Sequence, residues 1–240
     1  MKYAVVTGGT KGIGLAVVKE LLQRGFYVFT NYANDTNNAL IVSAQLKKIS
    51  EHIEIIKANQ SNKTEFEEFI IHIKQKTHTI DCIICNAGLT IRKPTMELAD
   101  EDWEKIMQVS VNAHFYLIRD LYRLIPNNAR IIFIGSVLGI FPHATSLPYG
   151  VSKAAVHALA RNLVKEFEGT GTTVNVIAPG FVETEWQKSK AQEIRNSIYR
   201  KSAIKRFANT EEISSAVTFC IDNPFVNGSI IEVNGGYCFK

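Results

Sequence analysis

The apolar run Tyr3-Ala4-Val5-Val6 leads directly into Thr7-Gly8-Gly9-Thr10-Lys11-Gly12-Ile13-Gly14, and from there into an amphipathic stretch, Leu15 to Arg24. This order reads as strand, tight turn and helix. The pattern then repeats. Strands are expected at 2–7, 26–31, 53–57, 81–86, 130–135, 173–178 and 229–233, with helical stretches between them. Such alternation predicts a parallel sheet covered by helices on both faces. Several of the runs are continuously apolar, as burial on two sides requires. With 240 residues and 46% apolar side chains, the chain has enough material for one large α/β core over residues 1–240. It has no internal repeat, low-complexity tract or Pro/Gly/Ser linker that would divide it.

The glycine turn also carries a binding expectation. Gly8, Gly12 and Gly14 let the backbone come close to a pyrophosphate, and the helix that follows offers unpaired N–H groups at its positive end. A glycine-rich connection alone is common. The strand before it and the helix after it make this one a dinucleotide candidate.

A second group of residues carries chemistry. Ser136, Tyr149 and Lys153 are a hydroxyl, a phenol and an amine at spacings of 13 and 4 residues. Tyr149-Gly150-Val151-Ser152-Lys153 opens an alanine-rich helical stretch, so the phenol and the ammonium share one face. A free phenol titrates near pH 10, and an adjacent cation lowers that value, which makes Lys153 the expected tuning group. Ser136 ends the β-branched run Arg130 to Ser136, at the carboxyl end of a strand and facing the same cleft. Taken alone, Tyr-x-x-x-Lys also occurs on ordinary solvated helices; its companions give it weight.

Together these motifs resemble the short-chain dehydrogenase/reductase family in its single-domain form, from Tyr3 to Gly236. Further matches are Asn86-Ala87-Gly88 after a strand, Asn112 in a helix, Asn175, Pro179-Gly180, Thr184, Arg206, Glu211-Glu212-Ile213 and Val233-Asn234-Gly235-Gly236. The resemblance implies a Rossmann-type doubly wound domain with seven mostly parallel strands in the order 3-2-1-4-5-6-7. It implies a catalytic set in which Tyr149 protonates a carbonyl oxygen, Ser136 polarises it, Lys153 binds the nicotinamide ribose and Asn112 holds a water relay behind Lys153. It further implies cofactor contacts from Gly8, Thr10, Lys11, Gly12, Ile13 and Gly14, from Tyr32, Asn59 and Gln60, from Asn86, Ala87 and Gly88, from Tyr149 and Lys153, and from Pro179, Gly180, Val182 and Thr184. Hydride delivered to a carbonyl carbon builds negative charge on oxygen, which calls for an acid and donors of this kind.

NAD-specific sites place a carboxylate about 20 residues past the glycine turn, to bind the ribose 2′-hydroxyl. Here the segment reads Phe29-Thr30-Asn31-Tyr32-Ala33-Asn34, and Tyr32 takes that position. Lys11 offers a cation for a 2′-phosphate. NADP(H) is therefore favoured, and nearby Asp35 keeps NAD(H) open. The family's adenine-binding aspartate is replaced by Asn59-Gln60, whose amide oxygens remain acceptors.

A net charge of +4, with Lys and Arg scattered along the chain, gives nucleic acid little to recommend it. No apolar stretch reaches membrane-spanning length, and Met1 runs almost at once into the first strand, so a cytoplasmic protein is expected. Cys82 and Cys85 lie on one strand at an odd separation, which sends their side chains to opposite faces as buried thiols. The six histidines show no metal-ligand grouping and no metal is expected; His143 alone falls on a segment expected to flank the substrate.

Gly135-Ser136-Val137-Leu138-Gly139 and Pro179-Gly180-Phe181-Val182-Glu183-Thr184 most resemble the 3-oxoacyl-(acyl-carrier-protein) reductases. The basic patch with which those enzymes dock their acidic carrier is missing at Pro126-Asn127-Asn128-Ala129 and Glu168-Gly169-Thr170-Gly171. Residues 184–206 resemble the family's substrate lid and are rich in Lys and Arg, which suits an anionic or phosphopantetheine-bearing thioester, although a charge run is also what a solvated helix carries. The helices around 153–167 and 103–121 are apolar on more than one face, so a homo-oligomer, dimer or tetramer, is expected. The expected function is NADPH-dependent reduction of a 3-oxoacyl thioester. The rivals are an NAD-dependent alcohol dehydrogenase and, from another class, a nucleotide-binding regulator.

Overall fold

A computed structural model describes residues 1–142, 147–237 and 239. The chain runs β1 (Lys2–Val6), α1 (Gly12–Gln23), β2 (Phe26–Tyr32), α2 (Thr36–Lys47), β3 (Ile53–Lys57), α3 (Lys63–Lys76) and β4 (Cys82–Cys85). It continues through α4 (Asp100–Met107), a π-helical turn (Gln108–Asn112), α5 (Ala113–Leu121), β5 (Arg130–Ile134), α6 (Leu147–Glu166) and β6 (Thr173–Pro179). It closes with α7 (Glu185–Lys188), α8 (Gln192–Arg200), α9 (Thr210–Asp222) and β7 (Ile230–Val233). The seven strands form one parallel sheet in the order β3-β2-β1-β4-β5-β6-β7. Both the order and the strand positions agree with the sequence reading.

The alternation of side chains along each strand divides the core in two. Val5, Phe29, Ile83, Cys85, Ile131 and Phe133 pack on one face with α3, α5 and α6, while Ala4, Val6, Val28, Cys82, Ile84 and Ile132 pack on the other with α1 and α9. Cys82 and Cys85 thus fall on opposite faces, and burial pushes both thiols up, Cys82 to about 12. On the second face Val17, Val18 and Leu21 of α1 meet Ile213, Val217 and Cys220 of α9. Arg24, just past α1, forks onto the Asp222 carboxylate at the end of α9, at 2.7 and 2.9 Å.

The chain crosses from β3 at one edge back to β4 beside β1, so the sheet reverses its winding between β1 and β4. Loops leaving the carboxyl ends of these two strands run in opposite directions and open a crevice between them. Among the described residues no helix is long and apolar enough to cross a membrane. Phe115 and Trp103 stay 42% and 40% exposed, and Val151, Ala154 and Ala158 on α6 face outward, so one apolar face of the α4–α6 layer is left uncovered.

Candidate functional site

A cleft of about 580 Å³ runs along the carboxyl ends of the strands. Its walls include Gly8, Thr10, Lys11, Gly12 and Ile13 from the glycine turn, Tyr32, Asn59 and Gln60 at one end, and Asn86, Ala87 and Gly88 after β4. They also include Ser136 after β5, Tyr149 and Lys153 from α6, and Pro179, Gly180, Val182 and Thr184 after β6. Of the catalytic and cofactor-contact residues expected from the sequence, all but Gly14 and Asn112 line this cleft. His143 lies outside the described residues.

The glycine turn is braced from three sides. Gly8 N–H donates to Asn31 Oδ1 at 3.1 Å, and Gly9 N–H to Thr30 Oγ1 at 2.9 Å. Asn86 Nδ2 donates to the carbonyls of Thr7 and Gly8 at 2.8 and 3.2 Å, while Thr7 Oγ1 accepts the N–H groups of Asn86 and Ala87. Gly8 and Gly12 have φ of +67° and +52°, a region L side chains avoid. Gly14 is needed for space: a Cβ there would stand 2.4 Å from the Gly8 carbonyl oxygen and 2.5 Å from Asn86 Nδ2. Gly14→Ala is therefore expected to cost about 1–3 kcal/mol of stability and to weaken nucleotide binding, because the methyl group forces the turn open. An unchanged denaturation midpoint together with unchanged NADPH titration would contradict this.

On the other wall, Ser136 is buried and its Oγ accepts the N–H of Leu138 at 3.1 Å, which leaves its own hydrogen for the Tyr149 phenol. Lys153 is 2% exposed and donates Nζ–H to the Ile134 carbonyl at 2.6 Å. That ammonium lies 5.7 Å from the centroid of the Tyr149 ring and close under Gly88. Asn112 closes the π-helical turn, where Nδ2 donates to Gln108 Oε1 at 3.4 Å. The wide turn leaves the Val109 carbonyl to accept Gln60 Nε2 at 3.1 Å. Single π turns of this kind recur at functional sites.

The cleft fits a dinucleotide on two observations. The amino end of α1 faces it with no side-chain cap and no acidic residue in its first turn. At the far end Gln60 is buried with Oε1 unpartnered, an acceptor suited to an adenine amino group. The two amides are not equivalent: Asn59 Oδ1 already accepts the Ser61 N–H and hydroxyl, so Gln60 alone keeps a free oxygen.

The short chain dehydrogenase family model matches residues 2–195. The chain is a short-chain dehydrogenase. Over 239 residues the dehydrogenase is 32% identical to the 3-oxoacyl-(acyl-carrier-protein) reductase FabG of Haemophilus influenzae, covering 98% of this chain and 97% of that protein. It superposes on a short-chain dehydrogenase/reductase from Serratia marcescens BCRC 10948 with a TM-score of 0.92 at 28% identity, over 98% of this chain and 97% of the other. A blue fluorescent protein from a metagenomic library, solved in complex with NADPH, gives a TM-score of 0.93 at 26% identity, over 99% and 98% of the two chains.

The electrostatics of the dehydrogenase depart from the sequence expectation in two places. Lys153 was expected to lower the phenol. Instead, burial pushes Tyr149 up to about 12, with Ser136 and the charge of Arg92 pulling weakly the other way. Desolvation of the phenol is the dominant cause, while the Lys153 ammonium, itself held down to about 8 by burial, is turned to the Ile134 carbonyl. The second departure concerns Lys11, which pairs with Asp35, and Asp35 also caps α2 by accepting the Asn38 N–H at 3.1 Å. The adenosine end therefore presents an exposed ion pair in place of a lone cation.

Three of the seven cations in the lid segment are matched: Lys188 pairs with Glu185, Arg195 with Glu183 and Arg206 with Glu212.

Four residues of this region were not legible beforehand. Arg92 and Gln187 line the cleft, and Trp186 meets the Tyr149 ring edge-on at 6.2 Å. His157, buried, accepts the backbone N–H of Ser136 at 3.4 Å, and its ring fills the space that side chains on Gly135 and Gly139 would occupy. His157 alone had a signal, its place four residues after Lys153 on the same helical face.

Proposed function

We propose that the protein reduces the ketone of a 3-oxoacyl thioester with NADPH as the hydride donor. The observation that carries this reading is the convergence of Ser136, Tyr149 and Lys153 on one wall of the cleft, opposite the glycine turn. When bound, the nicotinamide supplies the hydride. Tyr149 gives its phenolic proton to the carbonyl oxygen, and the Ser136 hydroxyl hydrogen-bonds the same oxygen as negative charge builds there. Lys153 binds the ribose, and Asn112 holds a water behind it. Trp186 packs edge-on against the phenol ring and helps fix its orientation.

A phenol held near 12 stays protonated at neutral pH, which suits an acid working in the reductive direction. Oxidation of the corresponding alcohol needs the phenolate. Its rate should therefore rise with pH between 7 and 10 while ketone reduction does not. Initial rates in both directions check this, and an oxidative rate that falls with pH would count against Tyr149 as the group.

The thioester assignment is supported by the relatives at about 30% identity that are named for it. NADPH is supported by Tyr32, which puts no carboxylate at the usual acidic position, and by the NADPH carried by the metagenomic relative. One observation favours the rival, an NAD-dependent alcohol dehydrogenase: the Asp35 carboxylate lines the cleft beside Lys11. Rates on acetoacetyl-CoA with NADPH and with NADH separate the two, and a large preference for NADH would overturn the cofactor assignment. The uncovered apolar face of α4–α6 supports assembly into a dimer or tetramer, which sedimentation measures directly.

A further inference from the structure

Five buried side-chain polar atoms among the described residues have no hydrogen-bond partner, and two of them belong to residues that line the cleft. Gln60 Oε1 stands at the adenosine end. Gln187 Oε1 stands at the other, on the short helix α7, in a residue only 7% exposed.

The backbone of Gln187 is fully engaged. Its N–H donates to the Thr184 carbonyl at 2.9 Å, and its carbonyl accepts the Lys190 N–H at 3.1 Å and Arg195 Nη1 at 3.3 Å. The residue is therefore fixed while its side-chain oxygen meets nothing. A buried amide acceptor left unmet is costly, and such a group in a cleft wall points to a missing donor. Gln187 and its neighbour Trp186 both line the cleft, and Trp186 stands against the Tyr149 ring, which puts the α7 segment at the phenol's end of the cleft.

The acyl part of a 3-oxoacyl thioester offers carbonyls and methylenes, none of which donates. Its thiol arm differs: in coenzyme A and pantetheine thioesters a secondary amide N–H follows the sulfur after two methylenes. We infer that Gln187 Oε1 accepts this amide N–H, so that the α7 segment reads the thiol arm while Ser136 and Tyr149 read the ketone. The inference rests on the thioester reading. It makes Gln187 a residue that selects the carrier-borne substrate over a simple ketoester.

The test compares wild type, Gln187→Leu and Gln187→Glu on acetoacetyl-CoA, on acetoacetyl-N-acetylcysteamine, which retains only the first amide, and on ethyl acetoacetate, which has none. Gln187→Leu should raise KM for both thioesters about tenfold, the size of one hydrogen bond, with kcat little changed. The KM for ethyl acetoacetate and for NADPH should stay within twofold, and Gln187→Glu, which keeps an acceptor oxygen, should recover most of the loss. Equal losses on all three ketones, or a loss confined to NADPH, would overturn the inference and leave the thioester reading intact. A wild-type enzyme that reduces other ketones and neither thioester would sink both.

Discussion

Replacing Tyr149 with phenylalanine is expected to lower kcat for acetoacetyl-CoA reduction by on the order of 10²–10⁴-fold, the usual contribution of a positioned proton donor. NADPH affinity should be nearly unchanged. The ring is held by its edge-on contact with Trp186 and by its place on α6, and neither depends on the hydroxyl, so the cleft keeps its shape while the oxygen of the substrate loses its acid. The hydroxyl of Ser136, deprived of its phenolic partner, can still bond the carbonyl and accounts for residual turnover. Stopped-flow measurement of hydride transfer, with NADPH binding followed by fluorescence, reads the two effects apart. A variant with near-normal turnover would remove Tyr149 as the acid. A protein that serves as a nucleotide-occupied regulator would be indifferent to the change.

The second large effect is loss of stability in mild acid, and its source is two buried imidazoles. Burial holds His114 down to about 3 and His157 to about 4, and the neighbouring charge of Lys153 acts in the same direction. Both values lie below the ordinary histidine value of 6.5, so between them the unfolded chain binds more protons than the folded one. Stability therefore rises with pH across that window, is fully present above about 6.5, and falls away as the pH drops below it. At pH 4.5 the two residues together remove about 5 kcal/mol, against a total of about 5–15 kcal/mol for a typical domain. Carboxylates held low by their partners, Glu212 beside Arg206 and Asp222 beside Arg24, add to the same trend at still lower pH. Urea unfolding from pH 8 to 4.5 should show a slope approaching two protons. His114→Leu should remove about one of them, and a flat profile would refute the assignment.

What the sequence made legible followed from local chemistry. The seven strands were readable because two-sided burial demands unbroken apolar runs such as Ile131-Ile132-Phe133-Ile134, and the split of Cys82 from Cys85 followed from strand periodicity alone. The convergence of Ser136 with Tyr149 and Lys153 was readable because strand end and helix face each have a fixed direction. Partners distant in sequence were not. The pairing of Lys11 with Asp35 spans 24 residues and depends on where α2 begins, which Asp35 itself sets by capping it. The raised phenol depends on how far its surroundings exclude water, which helical spacing does not report. Gln187 and Arg92 come from short or irregular segments without periodicity, so their approach to the cleft is a property of the assembled loops.

The union of α1 with α9 bears on how the molecule is made. Leu21 and Val18 of the first helix are covered by Ile213 and Val217, and Arg24 is clasped by Asp222, residues synthesised almost two hundred positions later. A nascent chain that has already formed its first strand and glycine loop still carries a bare hydrophobic flank until the ribosome has delivered residues 210–222. Truncation before Thr210 should leave that flank sticky and the product prone to aggregate, even though every residue that lines the cleft has by then been translated.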